Sequence, residues 1–251
     1  NTLDNYVDSF VIVEATLDHA GNRKKLNFDV KNFTKFNNKI NYIIVEDMPK
    51  KVDKIKKNWH SAHTRDQFQR NALERGYRNF DDDDLIMISD IDEIPNPNKI
   101  SEFKIQNKYA CFIQKNFQAK INRLNTTISN WPGTKICQKK FLKSPQWLRN
   151  LKNKKTKFWQ FYKDKEPQII LDGGWHFSFL KDYNLIQKKI RSFAHQEFNK
   201  KYLTDIELIK KRIKSGIDIF EREYIYEKVE LNEQFPDYVL KNKLKFKDWI
   251  L

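Results

Sequence analysis

Three short β-branched runs constrain this chain most: residues 10–13, 40–45 and 85–88. Each stops at carboxylates, first Glu14, then Glu46 and Asp47, then Asp90. Apolar runs of this length, interrupted only by Asn41, fit strands buried on both faces of a parallel sheet. A weaker fourth run covers 109–113. Between the second and third, residues 62–75 predict a helix with Ser61 as N-cap and Gly76 as stop. On it Phe68 and Ala72 share one face, and His63, Gln67, Arg70 and Glu74 share the other. Strand, helix, strand in this order implies an α/β fold with right-handed crossovers, its mostly parallel central sheet flanked by helices. Ligands of such sheets bind beyond the carboxyl ends of the strands, where these acids gather.

Further along, 139–167 is basic and carries Phe141, Trp147, Phe158, Trp159 and Tyr162, which reads as an irregular insertion. Helices are expected over 184–200 and 205–215, the second with a Thr204–Glu207 capping box and Gly216 as terminator. The tail, 221–251, should pack back across a single domain spanning 1–251. With 39% hydrophobic and 14% aromatic residues, the 251-residue chain has the means for one sizeable core. Its net charge of +15 suits anionic partners such as nucleotide diphosphates, phosphorylated glycans or an anionic membrane surface. The basic residues are dispersed, with no arginine-rich arm, so nucleic acid is not an expected partner. Cys111 and Cys137 read as buried free thiols rather than a disulfide framework. No stretch approaches 18 apolar residues. The expected location is the cytoplasm, with room for peripheral contact with an anionic membrane. The chain starts at Asn1 and enters a strand almost at once, so a missing N-terminal piece is expected.

The chemistry concentrates in Ile88-Ser89-Asp90-Ile91-Asp92-Glu93-Ile94-Pro95. An extended strand end sends Asp90 and Asp92 to one side, two residues apart. Carboxylates that close repel unless a cation sits between them. Mg²⁺ or Mn²⁺ takes oxygen ligands, completes its shell with substrate phosphates, and stabilises a departing diphosphate. A solvated strand end is the competing reading. The position after a buried strand and before the turn at Pro95 and Pro97 favours a site. The acids at 81–84 precede the strand and read as a solvated loop. A two-metal nuclease or nucleotidyltransferase would need more converging carboxylates.

Several motifs occur in order: Val7-Asp8-Ser9-Phe10 to Glu14-Ala15, His19-Ala20-Gly21, Gln69-Arg70-Asn71, the Asp90–Asp92 run, Gly173-Gly174-Trp175-His176-Phe177-Ser178-Phe179, and Lys189-Ile190-Arg191 to His195-Gln196-Glu197. Together they resemble glycosyltransferase family 17 over roughly residues 1–220. That family's best-known members are the β-1,4-mannosyl-glycoprotein N-acetylglucosaminyltransferases that add the bisecting sugar, and it has many bacterial relatives. The resemblance is to a bacterial-type member that begins after the family's first strand and helix. It implies a GT-A-type nucleotide-diphospho-sugar transferase fold, an inverting mechanism, Mn²⁺ or Mg²⁺, a donor such as UDP-GlcNAc and a glycan acceptor.

Carried over by position, the resemblance makes Asp92 the main metal ligand. Asp90 contacts the ribose or the metal, and Glu93 lies in or just behind the metal's shell. Glu14, Arg70 and Asn71 help form the donor site, although a strand-end acid suits Glu14 equally and a solvated helix face is the rival for Arg70. His176 ligates the metal or hydrogen-bonds the diphosphate, after two glycines that let ligand and backbone approach closely; a satisfied core histidine is its alternative. Trp175 and His195 support this shell. The base for inversion is Glu197, on the apolar stripe of Ile186, Ile190 and Phe193 if the helix continues that far, or Asp172, whose alternative is to cap the glycine turn. The contrasting function is a non-catalytic basic module binding glycan or nucleic acid.

Overall fold

The computed structural model describes residues 1–49, 61–153, 166–192 and 196–251. In chain order the elements are β1 (Phe10–Ala15), β2 (Ile40–Val45), α1 (Ser61–Asn71), α2 (Glu74–Tyr77), β3 (Leu85–Ile88), β4 (Glu93–Pro95), β5 (Tyr109–Gln118), β6 (Arg123–Asn125), β7 (Asn130–Gln138), α3 (Pro145–Asn150), β8 (Gln168–Ile170), β9 (Gly174–Ser178), α4 (Tyr183–Ser192), α5 (Ile206–Lys214), β10 (Tyr226–Lys228) and α6 (Asp237–Lys241). Phe158, Trp159, Tyr162, Phe193 and His195 lie outside the described residues.

The sheet corrects the expectation of mostly parallel strands. Among the described residues β1 and β2 form a parallel pair, but the eight-stranded sheet beside them is mainly antiparallel. Its order is β10-β6-β5-β7-β3; β8 and β9 run parallel to β5, and β4 pairs antiparallel with β9. A run of apolar residues registers burial, not direction. Direction follows from the connections, and the short links from β5 through β6 to β7 impose antiparallel pairing. Burial is also redistributed. In β2 Ile44 is 42% exposed, and in β3 Leu85 is 45% exposed, so neither strand is covered on both faces. The fourth run instead becomes the ten-residue centre of the sheet, with Tyr109, Ala110, Cys111 and Phe112 all buried.

The parallel pair joins the large sheet through an apolar cluster of Tyr77, Ile86, Ile88, Tyr109, Cys137 and Leu148, against which Val11 of β1 packs. Gly76 makes this approach possible and does not stop the helix. It lies inside α2, its carbonyl accepts a hydrogen bond from the Asn41 side chain at 2.8 Å, and a Cβ there would lie 2.3 Å from Val11 Cγ1. The predicted helix ends earlier, at Asn71.

α4 and α5 bury Ile186, Ile190, Ile209 and Ile213 with Phe179 and Phe220. Each fully covered isoleucine contributes about 1.5–3 kcal/mol. The cap of α5 falls one residue later than expected: Asp205 accepts the Leu208 amide at 2.9 Å, while the Thr204 hydroxyl donates back to Lys200 and Lys201 carbonyls. Gly216, at φ 71°, does follow the helix end, and a Cβ there would meet Tyr226 O at 2.7 Å. Buried Arg123 ties α5 to the sheet by donating to Ile213 and Ile217 carbonyls and to Gln118, with its guanidinium 4.1 Å from the Tyr226 ring centroid. In the tail, Phe235, Val239, Phe246 and Trp249 pack on Phe117, Trp175 and Phe177. Among the described residues no helix is long and apolar enough to cross a membrane.

Candidate active site

Beyond β3 the chain does not stay extended. Asp90, Ile91, Asp92 and Glu93 form a tight turn closed by the Glu93 amide donating to Asp90 O at 3.0 Å, with Ile91 at the tip, 92% exposed. The two aspartates therefore reach the same side through a turn, not through strand alternation. Both line a cleft of about 450 Å³ whose other walls are β1 (Val11 to Val13), α1 (His63, Asp66, Gln69, Arg70) and Lys189 of α4.

Each carboxylate on this turn faces a cation of the chain. Asp90 receives Arg70 on one oxygen and Arg149 on the other, both at 3.1 Å. Burial works to raise the Asp90 pKa, but the two arginines outweigh it and hold the carboxyl below its usual value. Arg70 also pairs with Asp66 at 3.1 Å and with the Gln146 side chain. Glu93, buried beneath the turn, accepts from Arg149 at 2.7 Å, Trp131 Nε1 at 2.8 Å and the Asp90 amide at 3.1 Å. Burial nevertheless pushes its pKa up to about 7, aided by Asp90 and opposed by Arg149. Asp92 lies 3.4 Å from Lys189 Nζ and 3.7 Å from His176 Nε2.

His176 is held in one tautomer. The Asn116 amide donates to Ile128 O at 3.1 Å, which turns its carbonyl oxygen toward His176 Nδ1 at 3.0 Å. Nδ1 must then carry the proton, leaving the Nε2 lone pair aimed at Asp92. Burial lowers the His176 pKa to about 4, so the ring is neutral, and it stacks on Trp131 with centroids 4.3 Å apart. A lone pair and a carboxylate facing each other across 3.7 Å make a two-sided donor set for a cation. Among the described residues no three His, Cys, Asp or Glu side chains converge as a complete metal cage. Substrate oxygens and water would have to finish the shell, as Mg²⁺ and Mn²⁺ sites at phosphates do.

Other sequence candidates fall elsewhere. Glu14 points away from the cleft into the loop after β1, where it accepts from Lys24, the Asn27 and Phe28 amides, the Asn27 side chain and Tyr42. Asn71 accepts the Gln146 amide at 3.0 Å and so docks α3 on α1. Trp175, next to His176 on a strand, faces the opposite side and donates to Gln234 O at 2.8 Å. Gly173 and Gly174 serve packing, not ligand approach: a Cβ on Gly174 would lie 2.1 Å from Ile94 O, and one on Gly173 would lie 2.7 Å from Phe112 Cβ. Asp172, at φ 49°, lines a separate cavity of about 200 Å³ with Asn96, Lys115 and Gln234. Glu197 is exposed in a short 3₁₀ turn and so does not extend the apolar stripe of Ile186 and Ile190.

Arg149 is the main residue that sequence reasoning passed over. It sits in the stretch read as irregular, which instead contains α3, capped by Ser144 on the Trp147 amide at 3.1 Å with Pro145 at the first helical position. Ser-Pro ahead of Trp147 and Leu148 was the available signal for that helix. Lys189 lay inside a recognised motif, but without an assigned role. Trp131 carried no sequence signal.

The mixed α/β core thus gathers acids, arginines and an oriented histidine beyond the ends of β1 and β3, where ligands of such sheets commonly bind. The sequence model of glycosyltransferase family 17 matches residues 1–247, and the chain belongs to that family. It is a glycosyltransferase, for which the family implies a nucleotide-sugar donor and a glycan acceptor. A search of curated proteins and a search of solved structures each found no match.

Proposed function

We propose that this glycosyltransferase is inverting and divalent-metal-dependent, and that it moves N-acetylglucosamine from UDP-GlcNAc to a glycan hydroxyl on a GT-A-type scaffold. The observation that carries the metal assignment is the bare Nε2 of buried His176 facing Asp92 across 3.7 Å, with Asp92 itself on the cleft that Arg70 and Lys189 also line. Asp92 and His176 would hold Mn²⁺ or Mg²⁺, and the ion, when bound, would neutralise the diphosphate as it leaves. Asn116 fixes the His176 ring and Trp131 stacks on it, so the nitrogen ligand is oriented before any ligand arrives. Arg70 and Arg149 hold Asp90 from both sides and set the turn on which Asp92 stands. Inversion requires a base opposite the departing diphosphate. Glu197, on the segment after α4, is the candidate retained, since Asp172 lines the other cavity.

The deciding experiment measures Mn²⁺-dependent release of UDP from UDP-GlcNAc by the wild-type protein, Asp92→Ala and His176→Ala. Turnover that needs Mn²⁺ and is lost in both variants supports the reading. Metal-independent turnover refutes the cofactor assignment. Thermal stabilisation by UDP-, GDP- or dTDP-sugars without turnover identifies a binding module on the same fold.

A further inference from the structure

On the metal-dependent reading above, we infer that Lys189 is a binding residue for the donor diphosphate, parked on Asp92 until a divalent cation displaces it. Among the described residues three cations reach the carboxylates of the turn, and they are held to different degrees. Arg149 is locked by Asp90, Glu93 and the Pro132 and Gly133 carbonyls. Arg70 is shared among Asp66, Asp90 and Gln146. Lys189 makes one polar contact to the turn, to Asp92 Oδ2 at 3.4 Å, well beyond the roughly 2.7–2.9 Å of a strong charged hydrogen bond. Its side chain is 30% exposed and lines the cleft, so the ammonium can be exchanged without unpacking the protein.

The platform beneath Lys189 is built at a cost. Phe179 has a left-handed backbone, φ 55°, a conformation that disfavours a bulky side chain by roughly 1–2 kcal/mol. Its ring packs with Ile186 and Ile190, which bury one face of α4, and Lys189 Nζ lies 4.5 Å from the ring centroid. The ring holds the ammonium in the cleft wall but consumes none of its three hydrogens. A cation ligated by Asp92 and His176 would repel the ammonium from Asp92, and the open side of the cleft is where a diphosphate would receive it. Metal and lysine would then carry charge on the same leaving group.

The test uses Lys189→Met and Lys189→Gln, which remove the charge, and Lys189→Arg, which keeps it. α4 is anchored by Ile186 and Ile190, and thermal unfolding of all three variants checks that it stays docked. Mn²⁺ affinity without nucleotide is read from the EPR signal of free Mn²⁺, and UDP affinity at saturating Mn²⁺ by calorimetry. With the competing ammonium gone, the neutral variants should bind Mn²⁺ alone about fivefold more tightly. The same variants should bind UDP with Mn²⁺ about tenfold more weakly, while Lys189→Arg stays near wild type. These opposite signs are not produced by a merely structural lysine. Mn²⁺ affinity that is unchanged or weaker in the neutral variants, or unchanged UDP affinity, overturns the role given to Lys189. Failure of the wild-type protein to bind Mn²⁺ even with UDP present overturns the metal-dependent reading itself, and this inference with it.

Discussion

Glu14→Gln keeps the shape of the side chain and removes the charge of the one carboxylate in β1. The Glu14 oxygens accept from the Asn27 amide at 2.8 and 3.0 Å, the Asn27 side chain at 2.8 Å, the Phe28 amide at 2.9 Å, Tyr42 at 2.9 Å, and Lys24. Burial alone would raise the pKa, but these donors more than reverse it and hold the carboxyl at about 2 instead of 4.5. That gap corresponds to ~3.4 kcal/mol. Lys24 is 26% exposed, and solvent screening reduces the expected value to about 2 kcal/mol. Because the folded pKa lies below the unfolded one, the contribution is complete above about pH 4.5 and is lost as pH falls toward 2. Urea unfolding of wild type and variant should therefore differ by about 2 kcal/mol at pH 7, with roughly three quarters of the gap closed near pH 2.5. A gap of constant size from pH 7 to pH 2.5 would refute the assignment of Glu14 as the charged anchor of the 24–28 loop.

Mn²⁺ with UDP should raise the melting temperature of the wild-type protein, and Asp92→Asn should abolish that rise and lower turnover at least about 100-fold; retained stabilisation would remove Asp92 from the metal. Arg149→Met strands Glu93 and Asp90 without their shared cation, and chemical denaturation should show a loss of about 3–5 kcal/mol. Gly76→Ala places a methyl against Val11, costing about 1–3 kcal/mol by the same assay, with little loss if α2 can shift outward. Burial depresses the His176 pKa from 6.5 to about 4, so the unfolded chain takes up its proton first and stability falls as pH drops from 6.5 to 4. His176→Asn should lack that share of the acid-side loss in pH-dependent unfolding.

What was legible in the sequence was local. Runs of β-branched residues marked β1, β2 and β3, because a strand's side-chain preference is written in consecutive residues. Gly216 marked a helix end because a left-handed residue favours glycine. Asp90 and Asp92 were placed on the cleft, and the ordered motifs identified the family.

Tertiary structure decided the rest. The same apolar run serves a parallel or an antiparallel neighbour, so strand direction waited on which strands met. Gly174, read as room for a ligand, gives room beneath the Ile94 carbonyl, and Gly76, read as a helix stop, gives room beside Val11. Charge pairing is a matter of distance in space. Arg149 reaches Glu93 from 56 residues away, and Lys189 reaches Asp92 from 97, so no local pattern could say which cation would neutralise which acid.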